Sequence, residues 1–260
     1  MVASSIRVNG LDPYFPFSYR APHGVDRDIN GLGTYRKWQH DVLMLKSLET
    51  YSKGGQRLLV TAEKLFGQHG LDGVSLRQIS VAARHANSSA VHHHFGSKAG
   101  LIQAVYEMRL PMIEAARKAH LDRLLIQPQI SFEDLIGALL LPIILMPELE
   151  RETYSRFMLA LMPLPLAEQP FFITQFNSPA SAEINRRIMN FWPDMPADVI
   201  ERRFRLAANI FLIAVAYPEP PKVRQHPPYD AGSIYWQDIL QAVVAIFLMP
   251  YPPRQIALNP

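Results

Sequence analysis

Three short helical patterns follow one another between about Arg57 and Leu101, and they constrain the fold more than any other feature. In the first pattern, apolar residues recur every three or four positions until Gly70. Ser75 is a suitable N-cap for the second, and the third covers about Asn87 to His94. Because helices this short cannot bury a core singly, the pattern predicts a compact three-helix unit of the helix-turn-helix type.

The third pattern has an apolar side and a polar side. At about 100° per residue, Val91 and Phe95 fall on one side of the helix. Ser89, His92 and His93 fall on the other. This outer side is short, polar and uncharged, which suits hydrogen bonds to base edges or phosphates. We therefore expect the third helix to lie in a major groove of DNA.

Longer helical patterns follow the short ones. A fourth helix is predicted from Lys98, behind the N-cap Ser97, to about Leu125, with a kink at Pro111. Lys98 adds a cation near a helix N-terminus, where backbone N–H groups attract phosphate. No period-two strand pattern competes with the helical ones. The remaining predicted helices are Phe132 to Met146, Leu149 to Met162, Ala180 to Trp192, Ala197 to Tyr217 and Ile234 to Met249.

These patterns predict an all-α fold with two domains after an N-terminal extension. Residues 1–53 form the extension. Its first part, residues 1–33, is rich in Gly, Pro and Asp and predicted to be irregular, and one helix is predicted over 35–51. Residues 54–101 form the helix-turn-helix domain, beginning at the Gly54-Gly55 break. Residues 102–260 form a C-terminal helical domain.

The extension has two interpretations. A mis-assigned start, with the true one at Met44, would leave only a short arm ahead of the helix-turn-helix. Alternatively, the extension is a real addition that packs on the DNA domain or reaches DNA itself. The basic residues that would reach DNA are Arg36, Lys37 and Lys46.

The distribution of charge favours a phosphate-facing N-terminal module. Hydrophobic residues make up 48% of the 260 residues and charged residues 19%, which indicates a globular chain. The first 100 residues contain twelve Lys and Arg against seven Asp and Glu, a net charge of +5. The remaining residues contain fourteen against sixteen, a net charge of −2. The basic excess is therefore N-terminal.

Several classes of protein are excluded or disfavoured. The chain has no cysteine, which excludes disulfides, thiol catalysis and zinc ribbons. We see no signal peptide, and the longest apolar runs are about 12 residues where a bilayer needs about 20, so we expect a cytoplasmic protein without a membrane partner. The sequence has no glycine-rich phosphate loop and no Gly-x-Ser-x-Gly or His-Glu-x-x-His motif. We therefore expect neither an enzyme nor a cofactor.

The run His92-His93-His94 is not predicted to bind a metal. Consecutive residues on a helix point about 100° apart, so these three rings cannot converge on one ion. Contact with the groove or packing is the expected role.

Three stretches in this region resemble the tetracycline-repressor (TetR) family of regulators: GVSLRQI at Gly73–Ile79, NSSAV at Asn87–Val91 and HFGSK at His94–Lys98. The resemblance implies that Ser75 and Lys98 contact phosphate and that Phe95 anchors the core. Arg77 and Arg84 are either further DNA contacts or solvated charges. The complete predicted DNA-binding set is Ser75, Arg77, Arg84, Asn87, Ser88, Ser89, His92, His93 and Lys98.

Two residues depart from the family pattern. Arg84 occupies the turn, where members of the family commonly have glycine, so the geometry of the turn is not predicted. His93 stands where a tyrosine usually contacts phosphate, and we expect a histidine there to make the contact depend on pH.

The rest of the chain is similar to the family only in kind, as a helical effector-binding and dimerisation domain. The resemblance implies a double-stranded DNA operator and a homodimer as partners, and a small apolar or amphipathic effector. Each predicted pocket residue has plain core packing as its alternative. The predicted pocket residues are Met146, Phe157, Met158, Met162, Phe172 and Phe176. Arg151 and Arg156 are interpreted either as surface charges or as anchors for an anionic group on the effector.

The last two predicted helices carry apolar stripes. The resemblance implies that these stripes pair with their symmetry mates in a four-helix bundle, so that a two-fold dimer presents two DNA-reading helices. The residues of the stripes are Ile200, Phe204, Ala207, Phe211 and Val215, and then Leu240, Val243 and Phe247. The expected function is a repressor released from a palindromic operator by an effector. The alternative is a helical protein-interaction scaffold whose DNA-binding head is degenerate.

Overall fold

The computed structural model describes residues 47–85, 89–164, 178–218 and 234–251. Within these ranges the regular structure is helical and contains no strand, so the all-α prediction is confirmed. A short 3-10 turn, Leu48–Thr50, precedes the first α-helix. The α-helices are α1 (Lys53–His69), α2 (Leu76–Ala82), α3 (Ser89–Phe95), α4 (Lys98–Glu107), α5 (Leu110–Leu125), α6 (Phe132–Ile144), α7 (Glu148–Leu161), α8 (Pro179–Met189), α9 (Ala197–Ala216) and α10 (Ile234–Leu248).

Helix α1 begins before the glycine pair that was expected to precede it. Gly54 and Gly55 lie in its first turn, and the Ser52 side chain accepts a hydrogen bond from Gly55 N at 3.2 Å. This N-cap stabilises the helix start by about 1 kcal/mol, which offsets the weak helix propensity of glycine. The predicted helix over 35–51 falls almost entirely outside the described residues, as do Arg36, Lys37, Met44 and Lys46.

The prediction of one helix from Lys98 to Leu125 with a kink at Pro111 was wrong about the position of the break. The helix is interrupted at Met108–Arg109, between α4 and α5, although both residues keep right-handed helical backbone angles. A proline ring clashes with the carbonyl four residues earlier, which here belongs to Glu107, the last residue of α4. Pro111 therefore lies in the first turn of α5, where its missing N–H costs nothing.

The apolar stripes of α9 and α10 pack against each other within one chain, which corrects their assignment to a dimer bundle. Phe211 and Val215 of α9 are buried, as is Phe247 of α10. The rings of Phe204 and Phe247 lie 4.9 Å apart. Leu240 also packs on this core. An apolar stripe shows that a helix has a partner, but its periodicity is the same whether that partner is intrachain or intermolecular.

The opposite face of α9 is the apolar face that stays exposed in the monomer. Leu206, Ile210, Ile213 and Tyr217 are spaced by four, three and four residues along it, and are 46%, 43%, 52% and 61% exposed. Such spacing places them on one side of a helix. We call these four residues the α9 stripe.

The first three helices, α1 to α3, form the head domain, which is docked on the C-terminal domain along α7. The helices approach most closely at Gly67 of α1. A Cβ added there would lie 2.9 Å from Arg156 Cβ and 3.0 Å from the backbone N of Phe157. Beside it, the rings of Phe66 and Phe157 lie 6.3 Å apart. This junction admits only a hydrogen atom at position 67.

A buried charge cluster lies at the same junction. Glu63 of α1 is 0% exposed and makes a bidentate contact with Arg109, from Nε to Oε1 at 3.2 Å and from Nη2 to Oε2 at 2.9 Å. Arg109 also pairs with Glu150 of α7. Burial raises the pKa of the Glu63 carboxyl, while the Arg109 guanidinium acts to lower it. The cluster therefore joins the head domain, the α4–α5 break and α7.

Arg151 is buried, so the interpretation of this residue as a surface charge was wrong. Its side chain is 3% exposed, Nη1 donates to Ile144 O at 2.7 Å, and the guanidinium lies 5.2 Å from the centre of the Trp236 ring. It thus caps the C-terminal carbonyls of α6. Arg156 pairs with Glu152 at 3.0 Å.

A second buried polar network escaped the sequence-based reasoning. Arg117 of α5 donates to Leu139 O at 3.1 Å and to the Ser181 hydroxyl at 2.8 Å. Glu114 accepts from Ala180 N at 3.2 Å and from Ser181 N at 3.3 Å at the start of α8. These contacts hold α5, α6 and α8 together, and none of them has a local sequence signature.

In the described ranges, the helices are too short or too polar to cross a bilayer.

Candidate nucleic-acid interface

Helix α2 starts at a complete capping box. The Ser75 hydroxyl accepts from Gln78 N at 3.3 Å, and the Gln78 side chain accepts from Ser75 N at 2.8 Å. Both residues are exposed, and so is Arg77 between them. The Ser-x-x-Gln spacing was the available signal for Gln78, which the sequence-based reasoning missed.

The turn after α2 closes with Arg84 in the left-handed region, at φ 60°. Arg84 N donates to Val81 O at 3.0 Å and His85 N to Ser80 O at 2.8 Å, the pattern of a Schellman motif. Glycine normally occupies the left-handed position, and another residue there costs about 1 kcal/mol or more. The Arg84 side chain is exposed.

His85 joins this turn to the start of α1, a role that sequence reasoning missed. Its Nε2 lies 3.3 Å from Gly54 O. A Cβ added at Gly54 would lie 3.1 Å from the His85 ring and 3.8 Å from His94 Nε2. Gly54 thus allows both rings to approach α1, and the turn and α3 are fixed relative to its first turn.

Helix α3 has the division of faces that its sequence predicts. Val91 is fully buried, and the half-buried Phe95 ring lies 5.8 Å from that of Tyr51. Ser89, His92 and His93 are exposed. Asn87 and Ser88, which were predicted to contact DNA, lie outside the described residues.

The three histidines of α3 have different environments. His92 Nδ1 lies 2.9 Å from Gly96 O. The His93 and His94 rings meet edge to face at 5.1 Å, and burial, followed by the charges of His93 and His85, lowers the pKa of His94. Among the described residues, no three His, Asp or Glu side chains are grouped in a way that could hold a metal ion.

Helix α4 starts at the predicted cap, since the Ser97 hydroxyl accepts from Gly100 N at 3.0 Å. Lys98 is half-buried and its Nζ lies 6.0 Å from the centre of the Phe66 ring. This distance is at the outer limit of a cation–π contact.

The residues predicted to line an effector pocket are packed where the structure describes them. Met146, Phe157 and Met158 are buried, and Met162 is half-buried. Phe157 contacts Phe66 of the head domain, so it belongs to the junction described above. Phe172 and Phe176 lie outside the described residues.

The comparison with known families agrees with this geometry. Residues 58–105 match the family model described as bacterial regulatory proteins, tetR family. They begin in α1, include α2 and α3, and end within α4. No curated protein matches the chain. The head domain is therefore a DNA-binding domain of the TetR family, and the chain is a DNA-binding transcriptional regulator.

Proposed function

We propose that this protein is a repressor that binds a partly palindromic operator as a homodimer and is released from it by a small apolar or amphipathic effector. The observation that carries the proposal is the exposed polar face of α3. This helix lies within the residues that match the family model. The effector binds among the helices of the C-terminal domain. The protein acts in the cytoplasm, where bacterial DNA lies.

The head domain offers two kinds of contact. The α3 side chains Ser89, His92 and His93 face the base edges of a major groove. The start and end of α2 approach the phosphates, with Arg77 and Arg84 as cations. The other proposed contacts are Ser75, Asn87, Ser88 and Lys98.

The α9 stripe is the proposed dimer contact. Four large apolar side chains in register on one exposed helix face are unusual for a monomer and favour a second apolar surface. A second copy supplies the same surface by two-fold symmetry, which closes the assembly. This arrangement presents two head domains to successive major grooves, about 34 Å apart.

Helix α7 is the proposed path from effector to DNA. It carries Phe157 and Met158 and also contacts Gly67 of the head domain, so a shift of α7 moves the head. For release, the effector must bind the DNA-incompetent spacing more tightly than the DNA-binding one. Because the head domain is in close contact with α7, we expect it to move with α7 as well as with α4.

Selection of double-stranded DNA from a random pool by the full chain tests the proposed function. We expect an inverted repeat whose half-sites lie about one helical turn apart, and binding that weakens steeply with salt. Light scattering should give twice the 29.5 kDa chain mass. Binding without sequence preference would contradict the proposal and favour the scaffold with a degenerate head.

A matched pair of variants tests the dimer contact within the same experiment. Ile210→Glu places a charge in the α9 stripe, and we expect it to give monomers that bind the operator weakly. Ile126→Glu makes the same change at an exposed residue after α5 and should leave the wild-type mass and affinity. If Ile210→Glu remains dimeric, the dimer uses another surface.

Arg84→Gly should change stability and DNA affinity in opposite directions. Glycine relieves the left-handed strain at φ 60° and should raise the free energy of unfolding by up to about 1 kcal/mol. Losing the cation should weaken operator binding and reduce the salt slope by about one phosphate contact. Urea unfolding and salt-dependent fluorescence anisotropy measure the two effects.

Arg77→Ala is the control, because Arg77 is exposed within α2 and its removal relieves no left-handed strain. It should weaken binding without a gain in stability. Unchanged operator affinity and salt slope in Arg84→Gly would remove Arg84 from the DNA contacts.

A further inference from the structure

The His92 side chain is bonded to the chain at the end of its own helix. Its Nδ1 lies 2.9 Å from Gly96 O, and Gly96 N donates back to His92 O at 3.0 Å. Gly96 takes φ 72°, a left-handed conformation that turns the chain at this point. The ring is therefore held in one orientation on the exposed side of α3.

This bond determines where the imidazole carries its proton. A carbonyl oxygen can only accept a hydrogen bond, so Nδ1 must be the N–H donor to Gly96. In the neutral ring the other nitrogen, Nε2, is then an acceptor. Nε2 lies on the far side of the ring from Nδ1, and the His92 side chain is exposed. The Ser89 hydroxyl on the same face can rotate and either donate or accept, whereas the His92 ring presents one fixed acceptor.

We propose that His92 is a specificity-determining residue that reads an exocyclic amino group in the major groove. The inference rests on the proposed function, in which α3 lies in that groove. Adenine N6 and cytosine N4 are the amino donors there, whereas guanine and thymine present oxygen acceptors at the corresponding positions. A fixed acceptor forms a hydrogen bond with the amino groups of adenine and cytosine and is repelled by the oxygens of guanine and thymine. The strand that His92 faces therefore carries adenine or cytosine at one position of each half-site.

The first test compares operators selected at pH 8 by the wild type and by His92→Ala. One position per half-site should require adenine or cytosine in the wild type and lose this preference in the variant. The selected operator is then synthesised with a base analogue at that position. The analogue is 2-aminopurine in place of adenine or pyrimidin-2-one in place of cytosine, and both lack the amino group in the major groove. The replacement should weaken wild-type binding by about three- to tenfold, the range expected for one hydrogen bond. It should leave the affinity of His92→Ala unchanged.

The second test reverses the chemistry of the residue. His92→Arg offers only donors, and arginine pairs with guanine O6 and N7, so selection should change to guanine at the same position. Gln68→Arg adds an equal charge at an exposed residue of α1, outside the proposed DNA contacts. It should leave the base selected at the His92 position unchanged. Thermal unfolding of each variant should match the wild type, because both side chains are exposed.

Two outcomes separate this inference from the proposed function. The role of His92 would be overturned, with DNA binding intact, by any of three results. The wild-type operator could have guanine or thymine at the position that depends on His92, or no position could depend on His92. The wild type could also bind the analogue-containing operator as tightly as the natural one. Failure of the wild type to select any sequence would overturn the proposed function itself.

Discussion

Arg109→Met is expected to lower the free energy of unfolding by about 3–5 kcal/mol at pH 8, the cost of leaving a buried charge without its partner. Glu63 is 0% exposed, and the Arg109 guanidinium contacts both of its carboxylate oxygens. Without that guanidinium the carboxylate must stay ionised in an apolar junction or take up a proton. Urea unfolding followed by circular dichroism measures the loss.

The loss should shrink as the pH falls toward 5. Burial raises the pKa of Glu63 above its ordinary value, and removing Arg109 raises it further. A carboxyl whose pKa is higher in the folded state binds a proton more readily there than in the unfolded chain. Its favourable contribution is complete below the unfolded pKa and is lost as the pH rises through the folded pKa. The difference between wild type and variant is therefore largest at alkaline pH.

The double variant Glu63→Met/Arg109→Met is the control for this cluster. It removes both charges and fills the junction with apolar groups, so most of the lost stability should return. If the double variant is as unstable as Arg109→Met, the unpaired carboxylate is not the cause. A loss that does not vary with pH would lead to the same conclusion.

Gly67→Ala should lower the free energy of unfolding by about 2 kcal/mol and the Tm by about 4–8 °C. The new methyl group would lie 2.9 Å from Arg156 Cβ and 3.0 Å from the Phe157 backbone N, so α1 must move away from α7. Displacing the head domain should also weaken operator binding, because the two heads of the proposed dimer would no longer match the groove spacing.

Gly137→Ala is the matched control in α6. There a Cβ would meet only Leu141 Cδ1, at an ordinary 3.6 Å. Alanine should therefore stabilise the protein by about 0.5–1 kcal/mol through its higher helix propensity. Equal gains in stability from the two substitutions, by differential scanning calorimetry, would mean that α1 and α7 are not in close contact.

The parts of the fold that were predicted from the sequence are those with local causes. Apolar periodicity predicted most of the helices, and the caps Ser75 and Ser97 predicted two of their starts. The division of α3 into buried Val91 and exposed Ser89 and His92 follows from helical geometry alone. Their roles at DNA remain predictions.

The parts that were missed depend on residues far apart in the chain. Glu63 and Arg109 are 46 positions apart, and Arg117 and Ser181 are 64 apart, so no local pattern links them. The same limit explains the error at the last two helices. Periodicity identified the apolar stripe of α9, but the identity of its partner depends on how α9 and α10 fold together. The geometry of the turn at Arg84 likewise became visible only with its backbone angles.

The close contact between α1 and α7 limits how this regulator can be re-engineered. Hybrid repressors are made by grafting the DNA-reading part of one protein onto the sensing part of another. Here the graft boundary would cut through a junction where Gly67 meets the backbone at Arg156 and Phe157. A donor head with a larger residue at that position would not pack against α7 of this C-terminal domain. A working chimera must therefore exchange α7 together with the head, or keep glycine at the crossing point.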